Sequence, residues 1–443
     1  MLEKVFELIS KRNFKELKDL LSNANESDVA EVLDELSKED LAVVFRLLKK
    51  DEAVDVFSYM DSDTQEKLIE TLSDNEVAGI VSKLYIDDAA DLIDELPANL
   101  VNKVLKNASA SKRKAINEIL KYPEDSAGSI MTVEYVDIKS GMTVKECFDR
   151  IRKIGLNKET VYILYVVDEN RSLIGVTTVK DLLMHDYDTK INEFMEENVI
   201  SVTTNEDKED VAKMFDKYDF LALPVVDNEN RLVGIVTVDD AMDVMSQESE
   251  EDFEKMAAMA PSEDDYLKES VLVQYKNRIV WLLVLMLSSI VTGKIITNYE
   301  NAFAAVPLLV SFIPMLMDTG GNCGSQASTM VIRALATDEL EPKDIFKALW
   351  KEARIGVLCG GTLAIVNGLR IFIQYGNGGI ALVIGITLFV TAILSKSLGC
   401  ILPMIAKACG LDPAYMASPL ITTIVDAGSL AIYFNVALML LNI

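Results

Sequence analysis

Hydrophobic positions in the first 122 residues repeat with a period of 12. Blocks beginning at Val29, Leu41, Ala53, Gln65, Val77, Ala89 and Val101 (VAEVLDEL, LAVVFRLL, AVDVFSYM, QEKLIETL, VAGIVSKL, AADLIDEL and VNKVLKNA) each place apolar residues at their fourth, fifth and eighth positions. That spacing predicts two-turn helices with one apolar stripe each, separated by about four turn residues such as Ser62-Asp63 or Ser73-Asp74. A helix so short cannot bury its stripe alone. Residues 1–122 are therefore expected to stack into an all-α superhelix, with an ordinary helical bundle as the alternative arrangement.

Beyond residue 123 the period becomes 59. Val166-Val167-Asp168 through Leu173-Ile174-Gly175-Val176-Thr177-Thr178-Val179-Lys180-Asp181 returns as Val225-Val226-Asp227 through Leu232-Val233-Gly234-Ile235-Val236-Thr237-Val238-Asp239-Asp240. Each copy reads as a hairpin of two β-branched strands running into a helix with Asp in its first turn. A helical stretch, 143–154 or 206–217, precedes each. The pattern resembles a tandem pair of CBS domains, an α/β arrangement assigned here to 123–186 and 187–247. In that family a Thr-x-x-Asp at the strand-to-helix turn can hold an adenosine ribose. The resemblance thus makes Thr178 with Asp181, and Thr237 with Asp240, candidate ATP contacts; an Asp in the first turn is also an ordinary helix cap.

After Arg278 the pattern becomes that of a membrane. Five apolar stretches, about 279–297, 302–335, 354–373, 379–403 and 414–441, approach the ~20 residues that cross a bilayer as a helix. Arg333, Lys343, Lys347, Lys351, Arg354 and Lys407 lie in alternate loops, whereas the loops near 298–301 and 374–379 carry no basic residue. The positive-inside rule then places the long N-terminal part in the cytoplasm and the chain in the cell membrane. Lys294 and Lys396 are read as snorkelling to the interface. The five cysteines form no CxxC pair, consistent with a reducing compartment. Glu3, Glu7, Lys11 and Arg12 interrupt any apolar leader, so no cleavable signal is expected.

Charge segregates along the same boundary. Of 43 Lys+Arg and 70 Asp+Glu, residues 271–443 hold 11 and 9, so the net charge of −27 lies entirely in the first 270 residues, near −29. Such a surface repels nucleic acid and attracts cations. No nucleophile and base pairing, P-loop or hydrolase metal spacing suggests an enzyme.

Intramembrane polar residues are costly and point to function. Ser418, Thr422, Asp426, Ser429 and Tyr433 follow at steps of 4, 4, 3 and 4, as do Pro314, Asp318, Asn322, Ser325 and Thr329. Each set falls on one helical face. Gly320, Gly321 and Gly324 would let another helix approach, or let the backbone unwind and offer carbonyls. The donors are all oxygens, which selects hard cations, Mg²⁺ foremost, because Mg²⁺ keeps most of its waters.

The run Pro314-Met-Leu-Met-Asp-Thr-Gly-Gly-Asn-Cys-Gly-Ser-Gln-Ala-Ser-Thr329, with Ile332-Arg-Ala-Leu-Ala-Thr337, Asp412-Pro-Ala and Ser418-Pro-Leu-Ile-Thr-Thr-Ile-Val-Asp426, resembles the MgtE family of magnesium channels. The resemblance implies a helical N-domain, a CBS pair, an acidic linker and plug helix over 248–277, and a five-helix membrane domain over 278–443. It also implies a homodimer with an axial pore, Asp426 as the pore carboxylate, a Thr422 carbonyl on the hydrated ion, and Asn322 at the entrance. Asp318 lies on the same stripe.

Acids at helical spacing recur in the cytoplasmic part: Asp87, Asp91 and Asp94; Glu209, Asp216 and Asp219; Asp240, Asp243, Glu248, Glu251 and Asp252. The resemblance places Asp87, Asp91, Asp216, Asp219, Asp240, Asp243, Glu248, Glu251 and Asp252 where domains meet around regulatory Mg²⁺. The expectation is a Mg²⁺ channel closed by cytosolic Mg²⁺, residues 262–277 carrying the signal to the first span. Alternatives are a CBS-regulated transporter of Co²⁺ or Mn²⁺, a cation carrier coupled to H⁺ or Na⁺, and a CBS-regulated anion channel.

Overall fold

The computed structural model describes residues 1–262, 266–267, 269–300, 306–416 and 418–441. It divides into two compact units, Met1–Ser246 and Gln247–Ile443.

The first unit begins with short helices, α1 (Leu2–Ser10) and α2 (Phe14–Leu21) leading the series. Those of the 12-residue repeat are α3 (Glu26–Asp34), α4 (Lys38–Phe45), α5 (Glu52–Ser58), α6 (Ser62–Thr71), α7 (Asp74–Val81), α8 (Ile86–Glu95) and α9 (Ala98–Asn107), followed by α10 (Ala110–Ile119). Side-chain caps fix several starts. Ser73 Oγ accepts from Glu76 N while Glu76 returns a carboxylate to Ser73 N, which closes a capping box. The third, fifth, fourth and sixth helices pack pairwise on their next-but-one neighbours, α3 on α5 and α4 on α6, and the series continues to α8 on α10. The stripes thereby merge into one core running from Val5 to Ile119, as a superhelix requires. Charged side chains tie helices three apart in the series: Arg46 Nε, at the end of α4, to Glu76 of α7 at 2.7 Å, and Lys103 Nζ of α9 to the carbonyls of Ile69 and Leu72 at 2.6 Å. Those carbonyls end α6, where a cation is favoured.

The 59-residue repeat folds as two matching three-stranded sheets. β1 (Val136–Lys139) lies parallel to β2 (Ile163–Val167), which pairs antiparallel with β3 (Leu173–Thr178). In the second copy β4 (Val202–Thr203), β5 (Ala222–Val226) and β6 (Leu232–Thr237) repeat that order. The register slips at Val166/Val167 and again at Val225/Val226. Both turns are built alike: Asp168 Oδ1 accepts from Asn170 N and Ser172 N, and Asp227 Oδ1 from Glu229 N and Arg231 N. α11 (Val144–Ile154) joins β1 to β2, β3 runs into α12 (Val179–Met184) and β6 into α14 (Val238–Met256).

The second unit is helical. Its long helices are α15 (Val271–Asn298), α16 (Ile313–Ala336), α17 (Ile345–Tyr375), α18 (Gly378–Ala408) and α19 (Ser418–Leu441). Among the described residues, four segments are long and apolar enough to cross a membrane: Val271–Asn298, Pro342–Tyr375, Gly378–Ala408 and Pro413–Leu441. The expected second span differs. Its first residues, 302–305, lie outside the described residues; a 3-10 helix (Pro307–Phe312) follows, and the rest is α16, whose Asp318, Asn322, Ser325, Gln326 and Thr329 lower its hydropathy. The third helix starts nine residues before the apolar stretch, at Ile345, so Lys347, Lys351 and Arg354 ride on helix rather than loop. Apolarity marks where a helix meets lipid, not where it ends.

One further expectation changes, and another falls partly outside the described residues. In the segment 262–277, residues 263–265 and 268 lie outside the described residues. Positions 271–277 form the first turns of α15, started by Ser270, whose Oγ accepts from Val273 N at 3.3 Å. Lys396 does not snorkel: it is 4% exposed, within α18.

Candidate functional site

Two groups of polar side chains stand out, one in each unit. The first lies where the helical series meets the CBS pair. α8 begins after Tyr85 and carries Asp87, Asp88 and Asp91 in its first two turns, where the helix dipole favours anions. Asp239 and Asp240 open α14 directly after β6. Glu159 comes from the loop ahead of β2.

Asp87 is 7% exposed and its Oδ1 has no hydrogen-bond partner. Burial, then the charges of Asp240, Asp88 and Glu159, hold its carboxyl well above the usual carboxylate range. Glu159 Oε2 is also buried without a partner, and burial with Asp88, Asp239 and Asp240 pushes that carboxyl up to about 8. Asp240 rises to about 7 through burial, against the hydrogen bonds from Thr237 that favour its ionised form. Burial and the Asp240 and Asp88 charges push Asp91 to about 7, but this residue is open to solvent at the rim, where water relieves such a push most readily. Lys112 is the cation facing the group. Its Nζ donates to the Leu84 carbonyl; burial lowers its pKa, while Glu134, Asp88 and Asp87 oppose that.

Like charges at low dielectric cannot all stay ionised unless a cation joins them. Among the described residues, no three His, Cys, Asp or Glu side chains converge closely enough to ligate a bare metal ion. The group instead suits a hydrated divalent ion, which needs only one or two direct carboxylates and reaches the rest through water.

The other expected acids fall elsewhere. Glu209, Asp216 and Asp219 lie on and just after α13 (Lys208–Tyr218): Glu209 pairs with Lys213 at 2.7 Å, while Asp216 and Asp219 are exposed. Asp243 is on the exposed side of α14, and Glu248 and Asp252 lie further along that helix. Glu251 is ion-paired with Lys255. Sequence spacing missed Asp88, Asp239 and Glu159. The first two adjoin singled-out acids, whereas Glu159 sits in a loop without periodicity.

Both Thr-x-x-Asp pairs are closed caps. Thr178 Oγ1 donates to Asp181 Oδ2 at 2.6 Å, and Asp181 N donates to Thr178 Oγ1 at 3.1 Å. Thr237 Oγ1 donates to Asp240 Oδ2, also at 2.6 Å. Asp240 thus serves a cap and the acidic group at once.

The second group is carried by α16 and α19. The glycines do not unwind α16, which is continuous; they let α19 approach. A Cβ on Gly320 would stand 2.7 Å from Ser429 Oγ, and one on Gly321 2.9 Å from Thr422 Cγ2. Asp426 is half-buried one turn beyond Thr422, whose Oγ1 donates to the Pro419 carbonyl at 2.9 Å. The two faces differ in exposure. Asp318, Asn322 and Thr329 are exposed along α16, whereas Ser429 and Tyr433 are buried, and Tyr433 Oη donates to the Leu309 carbonyl at 2.9 Å. The side chain of Ser418 lies outside the described residues. An open polar stripe on a helix of a membrane domain calls for water or another polar surface against it.

These features define an integral membrane protein with a CBS-containing water-soluble portion and an oxygen-lined stripe inside its helical domain. Family descriptions match in the same order: the MgtE intracellular N domain over 24–125, CBS domains over 127–188 and 191–247, and a divalent cation transporter over 313–436. The chain is 37% identical to the magnesium transporter MgtE of Thermus thermophilus, over 81% of this chain and 80% of that protein. It is 36% identical to the Bacillus subtilis magnesium transporter MgtE, over 81% and 79%. A crystal structure of the cytosolic domain of the Mg²⁺ channel MgtE in complex with ATP superposes with a TM-score of 0.53 at 36% identity, covering 55% of this chain and all of that one. The protein belongs to the MgtE family.

Proposed function

We propose that the protein admits Mg²⁺ across the cell membrane and is closed by Mg²⁺ on its cytoplasmic side. The transport assignment follows family membership. The gating assignment rests on one observation: carboxylates of α8, α14 and the Glu159 loop face one another in a buried group, with Asp87 Oδ1 and Glu159 Oε2 unpartnered. At low cytosolic Mg²⁺ these charges repel and the helical series separates from the CBS pair. At high Mg²⁺ the hydrated ion bridges them, and the closed arrangement passes along α14 to the membrane domain. Asp243, Glu248, Glu251 and Asp252 extend the acidic track along that helix; Glu209, Asp216 and Asp219 form a second exposed acidic face.

In the membrane, Asp426 and the Thr422 carbonyl hold the hydrated ion, since a helical carbonyl keeps a second lone pair. Asp318 and Asn322 line the approach. Their open stripe is covered when two copies meet around a water-filled axis, which makes the working form a homodimer with all five long helices in the bilayer. The Thr178–Asp181 and Thr237–Asp240 turns are the places an adenine nucleotide would occupy, and ATP there would bias the same CBS arrangement.

The test is Mg²⁺ influx into proteoliposomes at rising Mg²⁺ on the cytoplasmic face. Asp87→Asn with Asp240→Asn should leave influx at low Mg²⁺ unchanged and raise the half-inhibiting concentration about tenfold or more. An unaltered inhibition curve refutes the gating assignment.

A further inference from the structure

One side chain of the second unit joins the end of α14 to the loop ahead of α19. Lys255, in the last turn of α14, has a side chain 14% exposed. Its Nζ contacts Glu251 on its own helix and Asp412 Oδ2, at 2.7 Å, in the loop ahead of α19. It also lies 5.7 Å from the ring centroid of Tyr415, and that ring stacks at 5.7 Å on Trp281 of α15. Asp412 spends its other oxygen on its own loop, where Oδ1 accepts from Ala414 N at 2.8 Å. The loop ends on α16: the Met416 carbonyl accepts from Ser328 Oγ at 3.0 Å. A shift of Lys255 therefore bears on the loop that leads into α19, which carries Asp426, and that is hydrogen-bonded to α16, which carries Asn322.

The sequence around Lys255 makes it a singular cation. Glu248, Glu250, Glu251, Asp252 and Glu254 precede it with no basic residue between. Burial alone would lower the pKa of Lys255; Asp412 and Glu251 outweigh it, and the ammonium is held above the usual lysine range. A partly buried pair of this kind is strongly coupled, because losing one partner leaves the other charge uncompensated.

We infer that Lys255 is the positioning residue that couples the acidic linker to the pore helix, through its bridge from Glu251 to Asp412. The inference deepens the gating reading above and rests on it. A divalent ion that takes Glu251 leaves Lys255 to Asp412 and Tyr415, which changes the hold on the loop ahead of α19. The signal thus needs no contact between the regulatory ion and the membrane helices.

The experiment uses the full-length protein in proteoliposomes, with Mg²⁺ influx recorded against Mg²⁺ on the cytoplasmic face. Lys255→Met and Asp412→Asn should each raise the half-inhibiting Mg²⁺ about tenfold, within the usual range of coupling between sites, while influx at the lowest Mg²⁺ stays near that of the unsubstituted protein. Lys255→Arg, which keeps the charge, should retain the original curve. The exchanged pair Lys255→Asp with Asp412→Lys should recover much of the lost sensitivity, an outcome that a packing role alone would not give. Unchanged inhibition in Lys255→Met, or no recovery in the exchanged pair, overturns the inference. If the unsubstituted protein is itself insensitive to cytoplasmic Mg²⁺, the gating reading fails and this one with it; sensitivity there with an unaffected Lys255→Met rejects the bridge alone.

Discussion

Under the proposed function, the two polar groups meet opposite demands with the same chemistry. On α19 the one carboxylate is Asp426, on a face with the hydroxyls of Thr422 and Ser429. Around Asp87 several carboxylates from three segments crowd together, two with oxygens lacking any partner. Charge count is a main control on how tightly an oxygen site holds a divalent ion. A site that conducts must also release its ion. One carboxylate suits passage; a crowded set that is unstable when empty suits sensing. The difference predicts that substitutions in the membrane group change how much ion passes, and those in the soluble group change at what concentration passage stops.

The largest effect should come from Asp426. Asp426→Asn keeps the shape and removes the charge, and Mg²⁺ influx should fall roughly a hundredfold, the scale of losing one preorganised electrostatic contact. Asp318→Asn, on the exposed part of α16, should lower influx less than about threefold, because water screens that charge. Equal losses in the two variants would break the contrast between a half-buried ion contact and an exposed approach. Full influx in Asp426→Asn would remove the membrane group from the transport pathway.

A smaller and more distinctive effect concerns pH. Asp87, Asp240 and Glu159 have carboxyl pKa values raised above the ordinary range, Asp240 to about 7 and Glu159 to about 8. The folded contact therefore keeps protons that the unfolded chain has released. Without divalent ions, its stability is fully present near pH 4 and drains away as the pH climbs through about 7 to 8. Mg²⁺ supplies the missing positive charge and should flatten this dependence. Thermal unfolding of the full-length protein in detergent, at pH 5.5 and 8.5, checks the sign: the midpoint should fall between these values in chelator and change little in excess Mg²⁺. A midpoint that rises with pH in chelator would contradict the buried acidic group.

Much of this architecture was legible because periodicity reports burial. The 12-residue repeat gave the stacked helices, since every stripe from Val29 onward had to be covered by a neighbour. The 59-residue repeat gave two equivalent sheets, down to the matching register slips. What could not be read depended on distance in space. Glu159 carries no pattern, and only the fold brings it to Asp88 and Asp240. The choice at Gly320 and Gly321 between unwinding and close approach depended on which side chains α19 presents. Lys396 sits in an apolar run, which favours snorkelling, but the packing of α18 encloses it. The Lys255 bridge joins residues 157 positions apart, beyond the reach of any local rule.

The smallest effect separates the two CBS copies. Thr178 and Thr237 make the same cap, each donating Oγ1 to an Asp Oδ2 at 2.6 Å. Replacing either with Ala should cost about 1 kcal/mol of stability, the usual value of a helix N-cap. Only one partner belongs to the acidic group. Thr237→Ala removes a hydrogen bond that favours the ionised form of Asp240, so that carboxyl should hold its proton to higher pH and compete with Mg²⁺. Thr178→Ala leaves the acidic group untouched, because Asp181 faces none of its members. Equal losses of thermal stability are therefore expected in the two variants, with a raised half-inhibiting Mg²⁺ in Thr237→Ala alone. A matching shift in Thr178→Ala would mean that inhibition depends on the stability of the CBS pair as a whole, and not on the carboxylates that α14 presents to α8.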